Sequence, residues 1–184
     1  MPKIVASKKD WIKLGYKLFS ENGEGGINVD KMSRLLNCNK SSFYWHFKTK
    51  KDFINELIAY WIDIDTTKVI NEVDEQEFPK DKILKLIKVA FRKDSNLDFI
   101  FYLKKYSQKN NTIQKIIDRI DDERILFLID LIIGLGYSKE QAEIKASIFY
   151  KYLIGYHEMI RYKKQKKNYL VEVLDEINQF ITIK

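Results

Sequence analysis

Apolar residues return with the period of an α-helix along almost the whole chain, and this limits the fold more than any other feature. Over residues 8–22, KKDWIKLGYKLFSEN, the residues Ile12, Gly15, Tyr16 and Phe19 fall at i, i+3, i+4 and i+7. The stretch stops at Gly23, where a GEGG turn begins. Asn28 suits the N-cap of a second helix through Leu36, whose inward face is Val29, Met32, Ser33 and Leu36. Asn37, Cys38 and Asn39 make a tight break. Asn37 tolerates a left-handed conformation, Cys38 is expected to be buried, and Asn39 can cap a short third helix from Lys40 to His46. A fourth helix opens near Lys50 and runs past Trp61 to about Glu72. Pro79 starts something new, and further helices are expected near 80–93, 95–108, 112–134, 138–164 and 168–182. Only 2 Pro and 7 Gly in 184 residues argue against the many turns of an all-β chain. The prediction is an all-α fold of about nine helices with short connections.

Charge is unevenly placed. Residues 1–60 hold eleven Lys/Arg against six Asp/Glu, a net of +5, and residues 61–184 hold twenty-two against twenty, a net of +2. A basic first third on a nearly neutral body points to an anionic partner such as nucleic acid; a Lys-rich solvated surface is the plain alternative. One Cys excludes a disulfide scaffold, and with only two His no Cys/His zinc site can be built. Neither a metal nor a cofactor is expected. The apolar run from Ile125 to Leu135 is short and broken by Asp130, so no membrane span is expected. The N-terminal MPKIVASKKDW lacks the apolar core of a signal peptide, and a cytoplasmic location with no membrane partner follows as an expectation.

Two short helices joined by a three-residue break describe a helix-turn-helix. In its second helix Phe43 and Phe47 lie four apart and can both face a core, while Lys40, Ser41 and Tyr44 share the opposite stripe. A cation, a hydroxyl and a phenol on one stripe suit phosphates and base edges in a major groove. Trp45 and His46 flank that stripe, with an aromatic mini-core as the alternative place for them. Lys48, Lys50 and Lys51 crowd the start of the next helix, where backbone N–H groups add to an anion site.

The stretch from Ile12 to about Trp61 resembles the tetracycline-repressor-like helix-turn-helix domain of the TetR family of transcriptional regulators. The family's first helix ends in a Phe and a Gly, matched by Phe19 and Gly23. A capped second helix is matched from Asn28, the aromatic reading-helix core by Phe43-Tyr44-Trp45-His46-Phe47, and the Lys opening the fourth helix by Lys50. The chain departs from the pattern at Leu36-Asn37-Cys38, where Ala-Gly-Val is usual, at Gly15 and Ser33, each a usual Ala, and at Asn28, a usual Thr. The resemblance implies that Asn28, Tyr44 and Lys50 bond phosphates. It also implies that Lys40, Ser41, Ser42, Trp45 and His46 lie in or beside the major groove of a double-stranded, palindromic operator. A DNA-binding domain over 1–50 and an effector-binding and dimerisation domain over 51–184 are the expected division.

The resemblance further implies a homodimer and a small-molecule effector. Over 138–164 one apolar stripe holds Ala142, Ala146, Phe149, Leu153, Tyr156 and Ile160, and a second holds Ile144, Ile148, Tyr152, Gly155 and Met159. Such a helix needs two partners. With Leu174, Ile177 and Ile181 of the last helix, the second stripe is the candidate dimer surface; a larger monomeric core is the alternative. Trp61, Phe91, Phe99, Tyr102 and Phe127 are candidates for an aromatic pocket, with plain core as the alternative. Asp130, inside ILFLIDLII, is expected to be paired, protonated or at a wet cavity, and His157 is placed to pair with it or to meet a ligand. An apolar or aromatic effector is expected.

The chain has no G-x-x-x-x-G-K-S/T loop and no H-E-x-x-H, and the GEGG run follows a helix instead of a strand. An enzyme is therefore not expected, and a helical enzyme built on Asp130 and His157 is the weaker alternative. A second rival is a helical interaction or membrane-surface protein using the KKQKK run, Lys163 to Lys167.

Overall fold

A computed structural model describes residues 6–93 and 99–183. Its α-helices are α1 (Lys8–Asn22), α2 (Val29–Leu35), α3 (Ser41–His46), α4 (Lys50–Ile62), α5 (Lys68–Asp74), α6 (Pro79–Ala90), α7 (Phe99–Ser107), α8 (Asn111–Gly134), α9 (Lys139–Ile160) and α10 (Tyr169–Ile177). No strand occurs among the described residues, so the chain is all-α as expected. The π-helical turn Asp63–Thr67 joins α4 to α5, so the stretch read from the sequence as one helix carries an insertion. Positions 95–98 of the helix expected near 95–108 lie outside the described residues.

The helix starts follow local chemistry. Ser7, Thr49 and Ser138 each accept a bond from the third backbone N–H of their helix and receive the reciprocal side chain, forming capping boxes with Asp10, Asp52 and Gln141. Asn28 caps α2 through Lys31 N at 2.9 Å. In the break Asn37 takes a φ of 50°, the left-handed conformation that Asn accepts. Cys38 in that break is half-buried, a correction to the expected burial.

The chain forms two compact units, Met1–Ile64 with Ser95–Ile116, and Asp65–Asp94 with Ile117–Lys184. In the first, Trp11, Phe19, Met32, Phe43, Phe53 and Leu57 are fully buried. Phe43 is the hub, with ring centroids at 5.3 Å from Trp11 and 5.1 Å from Phe47 and from Phe53. Gly15 on α1 is where this core is tightest, since a Cβ there would lie 2.3 Å from Phe53 Cζ. Gly15→Ala is therefore expected to destabilise the chain by about 1–3 kcal/mol through overpacking, read as a lowered midpoint in urea unfolding. Gly23 ends α1 with φ 62°, and the Tyr102 ring occupies the space its side chain would need.

The core of the second unit is Val73, Ile83, Ile87, Phe91, Leu128, Ile132, Ala142, Ala146, Phe149, Val173, Ile177 and Ile181. Arg124 of α8 donates to Thr66 Oγ1 at 2.9 and 2.7 Å and to the Asp65 carbonyl at 3.2 Å, fastening the end of the π-helical turn. Helix α9 stops at Ile160, four residues before the expected end. Lys93 Nζ donates at 2.7 Å to the carbonyls of Ile160, Arg161 and Lys163, so orphan carbonyls at the helix end are satisfied from outside the helix. Gln165 completes the knot, accepting from Lys93 N at 3.1 Å and donating to Phe91 O at 2.7 Å and Tyr156 Oη at 2.9 Å. The KKQKK run is thus a pinned turn whose Gln faces inward. Lys93→Ala is expected to cost about 1–3 kcal/mol by leaving these carbonyls short of a donor, measurable by chemical denaturation.

Candidate nucleic-acid interface

The candidate interface is built on α3, a helix of six residues held from beneath. Phe43 and Phe47 bury their rings in the first core, as the four-residue spacing predicts. Phe43 is fully buried, whereas Tyr44 beside it is 57% exposed and Trp45 is 84% exposed. Lys40 and Ser41 are also exposed, and Asn39 Oδ1 accepts from Ser41 N at 3.0 Å to start the helix. At 100° per residue Lys40, Tyr44, Ser41 and Trp45 fill one continuous arc.

Two of the expected groove residues bond inward. Ser42 is only 9% exposed; its Oγ accepts from Trp11 Nε1 and donates to Ala6 O, both at 3.3 Å. His46 is half-buried, and its Nε2–H donates to the same carbonyl at 3.0 Å. Both side chains therefore tie α3 to the chain entering α1, because the helix face next to Phe43 turns inward. Ala6 was not a candidate, since nothing local in the sequence marks a carbonyl that two distant side chains will share. Ser42→Ala is expected to cost about 1–3 kcal/mol, because it leaves the buried Trp11 N–H without its acceptor. The salt dependence of duplex binding should stay as in the wild type, and urea unfolding beside an anisotropy titration reads both.

Cations surround the arc. Lys31, Lys48 and Lys51 are exposed, and Lys48 and Lys51 flank the capped start of α4 with Lys50. Lys50 Nζ lies 3.6 Å from Glu24 Oε1 and donates to Glu24 O at 3.4 Å. Lys40 pairs with Asp30 at 3.4 Å. All four side chains of these two pairs are well exposed, so each pair is weak and gives way readily to a phosphate. Asn28 Oδ1 is occupied by its capping bond, which leaves the Nδ2 amide as the donor it can offer.

The other candidates separate. Trp61, Phe99 and Tyr102 belong to the first unit, where Trp61 stacks on Phe99 at 6.1 Å and both are fully buried. Phe91, Phe127, Asp130 and His157 belong to the second. Phe91 is fully buried and Phe127 half-buried. Asp130 is exposed, a correction to the enclosed carboxylate expected from its apolar neighbours: α8 turns one face outward there, with Leu126 and Ile133 exposed beside it. His157 does not pair with it; its Nε2–H donates to Ala90 O at 2.8 Å, capping the end of α6. On α9, Ile148, Gly155 and Met159 are exposed, with Met159 at 73%, and Tyr152 is half-buried and bonded to Glu176. On α10 Leu174 is half-buried, while Ile177 and, beyond the end of that helix, Ile181 are fully buried in their own core and so cannot face a partner.

The fold matches those of known structures. A TetR transcriptional regulator from Legionella pneumophila superposes with a TM-score of 0.78 at 18% identity, covering 99% of this chain and 100% of that one. A transcriptional regulator from Rhodococcus sp. Rha1 gives 0.76 at 16% identity over 96% of each chain, and reduced NemR of E. coli gives 0.74 at 14% over 96% and 98%. The protein therefore has the fold of the TetR family of transcriptional regulators. No family model matches the chain. In sequence it is similar to the biofilm operon negative transcriptional regulator IcaR of Staphylococcus aureus (strain Newman), 25% identical over 100 residues, 52% of this chain. The match spans about half the length of that relative, 49%. Among the described residues no helix is long and apolar enough to cross a membrane.

Proposed function

We propose that the protein is a sequence-specific DNA-binding transcriptional regulator, a dimeric repressor that leaves a palindromic operator when a small apolar or aromatic ligand binds. The exposed arc of Lys40, Ser41, Tyr44 and Trp45, raised on the buried Phe43 and ringed by lysines, is the observation that carries this reading. Lys40 and Ser41 offer a cation and a hydroxyl to base edges and to the phosphates beside them. Tyr44, Lys50 and the Asn28 amide hold phosphates, and Ser42 and His46 set the angle of the reading helix. The division at residue 50 marks the DNA-reading part of the first compact unit.

A single six-residue helix makes few base contacts, so two copies are needed, reading major grooves roughly 34–36 Å apart. The exposed stripe of Ile144, Ile148, Gly155 and Met159 on α9 supports a dimer face, and a Cβ at Gly155 would meet nothing within 4 Å. The exposure of Val171 on α10 supports it as a member of that face in place of Ile177 and Ile181. A ligand acts by preferring the state in which the two heads cannot dock together. Aromatic rings around Phe91, with Tyr152 and Tyr156 each at 5.3 Å, support an apolar or aromatic effector. The name of the IcaR relative, a negative regulator, supports repression.

Fluorescence anisotropy tests the proposal, using duplex from upstream of the protein's own coding sequence and random duplex as control. Wild type should prefer the upstream duplex, and Lys40→Ala and Tyr44→Ala should each weaken binding by about 1–3 kcal/mol. Equal, variant-independent binding to both duplexes would overturn it.

A further inference from the structure

We infer that Trp45 is a specificity-determining residue which reads the 5-methyl group of thymine in the major groove; this rests on the DNA-binding reading above. Lys40 and the six residues of α3 that follow it divide cleanly. Ser42 and His46 are committed to the Ala6 carbonyl, and Phe43 to the core. Lys40, Ser41, Tyr44 and Trp45 are left on the outer arc. Three of these carry groups that fit polar edges or phosphates. Trp45 differs in kind: it sets a large apolar plane, 84% exposed, on a helix whose own core side is fully closed. Its exposure is therefore a property of its position, not of a loose helix.

The occupant follows from charge and shape. Lys40, Lys48, Lys50 and Lys51 are exposed around the arc, so the covering surface is a polyanion. The edges of a duplex in the major groove are donors and acceptors, apart from one apolar group, the thymine methyl. Ser41 lies one turn before Trp45 on the same edge of the arc and supplies a hydroxyl to an adjacent polar group. The pair thus suits a step in which a thymine methyl neighbours a polar base edge.

The test starts from a duplex selected by the wild-type chain from a random library. Each thymine in turn is replaced by uracil, which pairs identically and lacks only the methyl. At one position or more the replacement should weaken wild-type binding by about fourfold, the effect of one buried methyl. Trp45→Ala should bind the thymine duplex more weakly and be indifferent to the same replacement, and Trp45→Phe should keep part of the sensitivity. Since Trp45 is exposed, its variants should unfold at the wild-type midpoint. Lys40→Ala, although weaker overall, should keep the methyl sensitivity. If every uracil duplex binds the wild type as well as its parent, methyl reading is overturned while specific binding stands. If Trp45→Ala loses affinity and stays uracil-sensitive, the indole covers the sugar–phosphate chain and the assignment is overturned. If no duplex is selected at all, the DNA-binding reading falls and this inference with it.

Discussion

Replacing Phe43 by Ala is expected to destabilise the protein by about 3–5 kcal/mol. The ring is fully buried and meets Trp11, Tyr44, Phe47 and Phe53 at centroid distances of 5.1 to 5.3 Å. Its removal leaves a cavity that four other rings cannot fill without leaving their rotamers. Since a domain of this kind holds only about 5–15 kcal/mol in total, much of the stability would be lost. Duplex binding should fail with it, although Phe43 faces away from the proposed DNA. Tyr44→Ala, one residue on, should leave the unfolding midpoint nearly unchanged and act on binding alone, because Tyr44 is mostly exposed. Urea unfolding of both variants beside an anisotropy titration separates the two roles. A Phe43→Ala protein as stable as wild type would show that the reading helix is not held by its core side.

The second large effect is on salt. Lys40, Lys48, Lys50 and Lys51 are exposed on each proposed head, so a dimer brings eight cations to the phosphates. Each neutralised phosphate releases counterions, and neutralising this many lowers affinity by about 10³–10⁵ between roughly 50 and 200 mM salt. Lys50→Ala should reduce the slope by about one for each phosphate that its ammonium neutralises, and the capping box of Thr49 and Asp52 leaves α4 intact without it. Affinity that hardly responds to salt would mean that these lysines are only a solvated surface. The weak pairs of Lys40 with Asp30 and of Lys50 with Glu24 temper the effect, since a phosphate replaces a carboxylate already present.

Most helix boundaries were legible because they rest on local chemistry. The Asn28 cap, the Gly23 stop and the left-handed Asn37 all act within a few residues, and each appears where the sequence places it. The inward pair Phe43 and Phe47 was legible for the same reason, as a spacing on one short helix. The early stop of α9 was not. It depends on Lys93, nearly seventy residues away, whose ammonium satisfies the carbonyls at the end of the helix. The π-helical insertion after α4 was equally hidden, since Arg124 fastens it from another helix.

By itself, then, the sequence determined an all-α chain, the caps that punctuate it, and a short aromatic helix with a cationic outer stripe. These are effects of period and of hydrogen bonds between near neighbours, which need no knowledge of the rest of the fold. Tertiary structure alone decided which polar side chains turn inward. Ser42 and His46 serve the Ala6 carbonyl, His157 caps α6, and Asp130 faces water in the middle of an apolar run. It also decided that Ile177 and Ile181 fill their own core and leave Met159 outside. The physical reason is that a helix has several plausible faces, and the one that is buried is chosen by helices contributed from far along the chain.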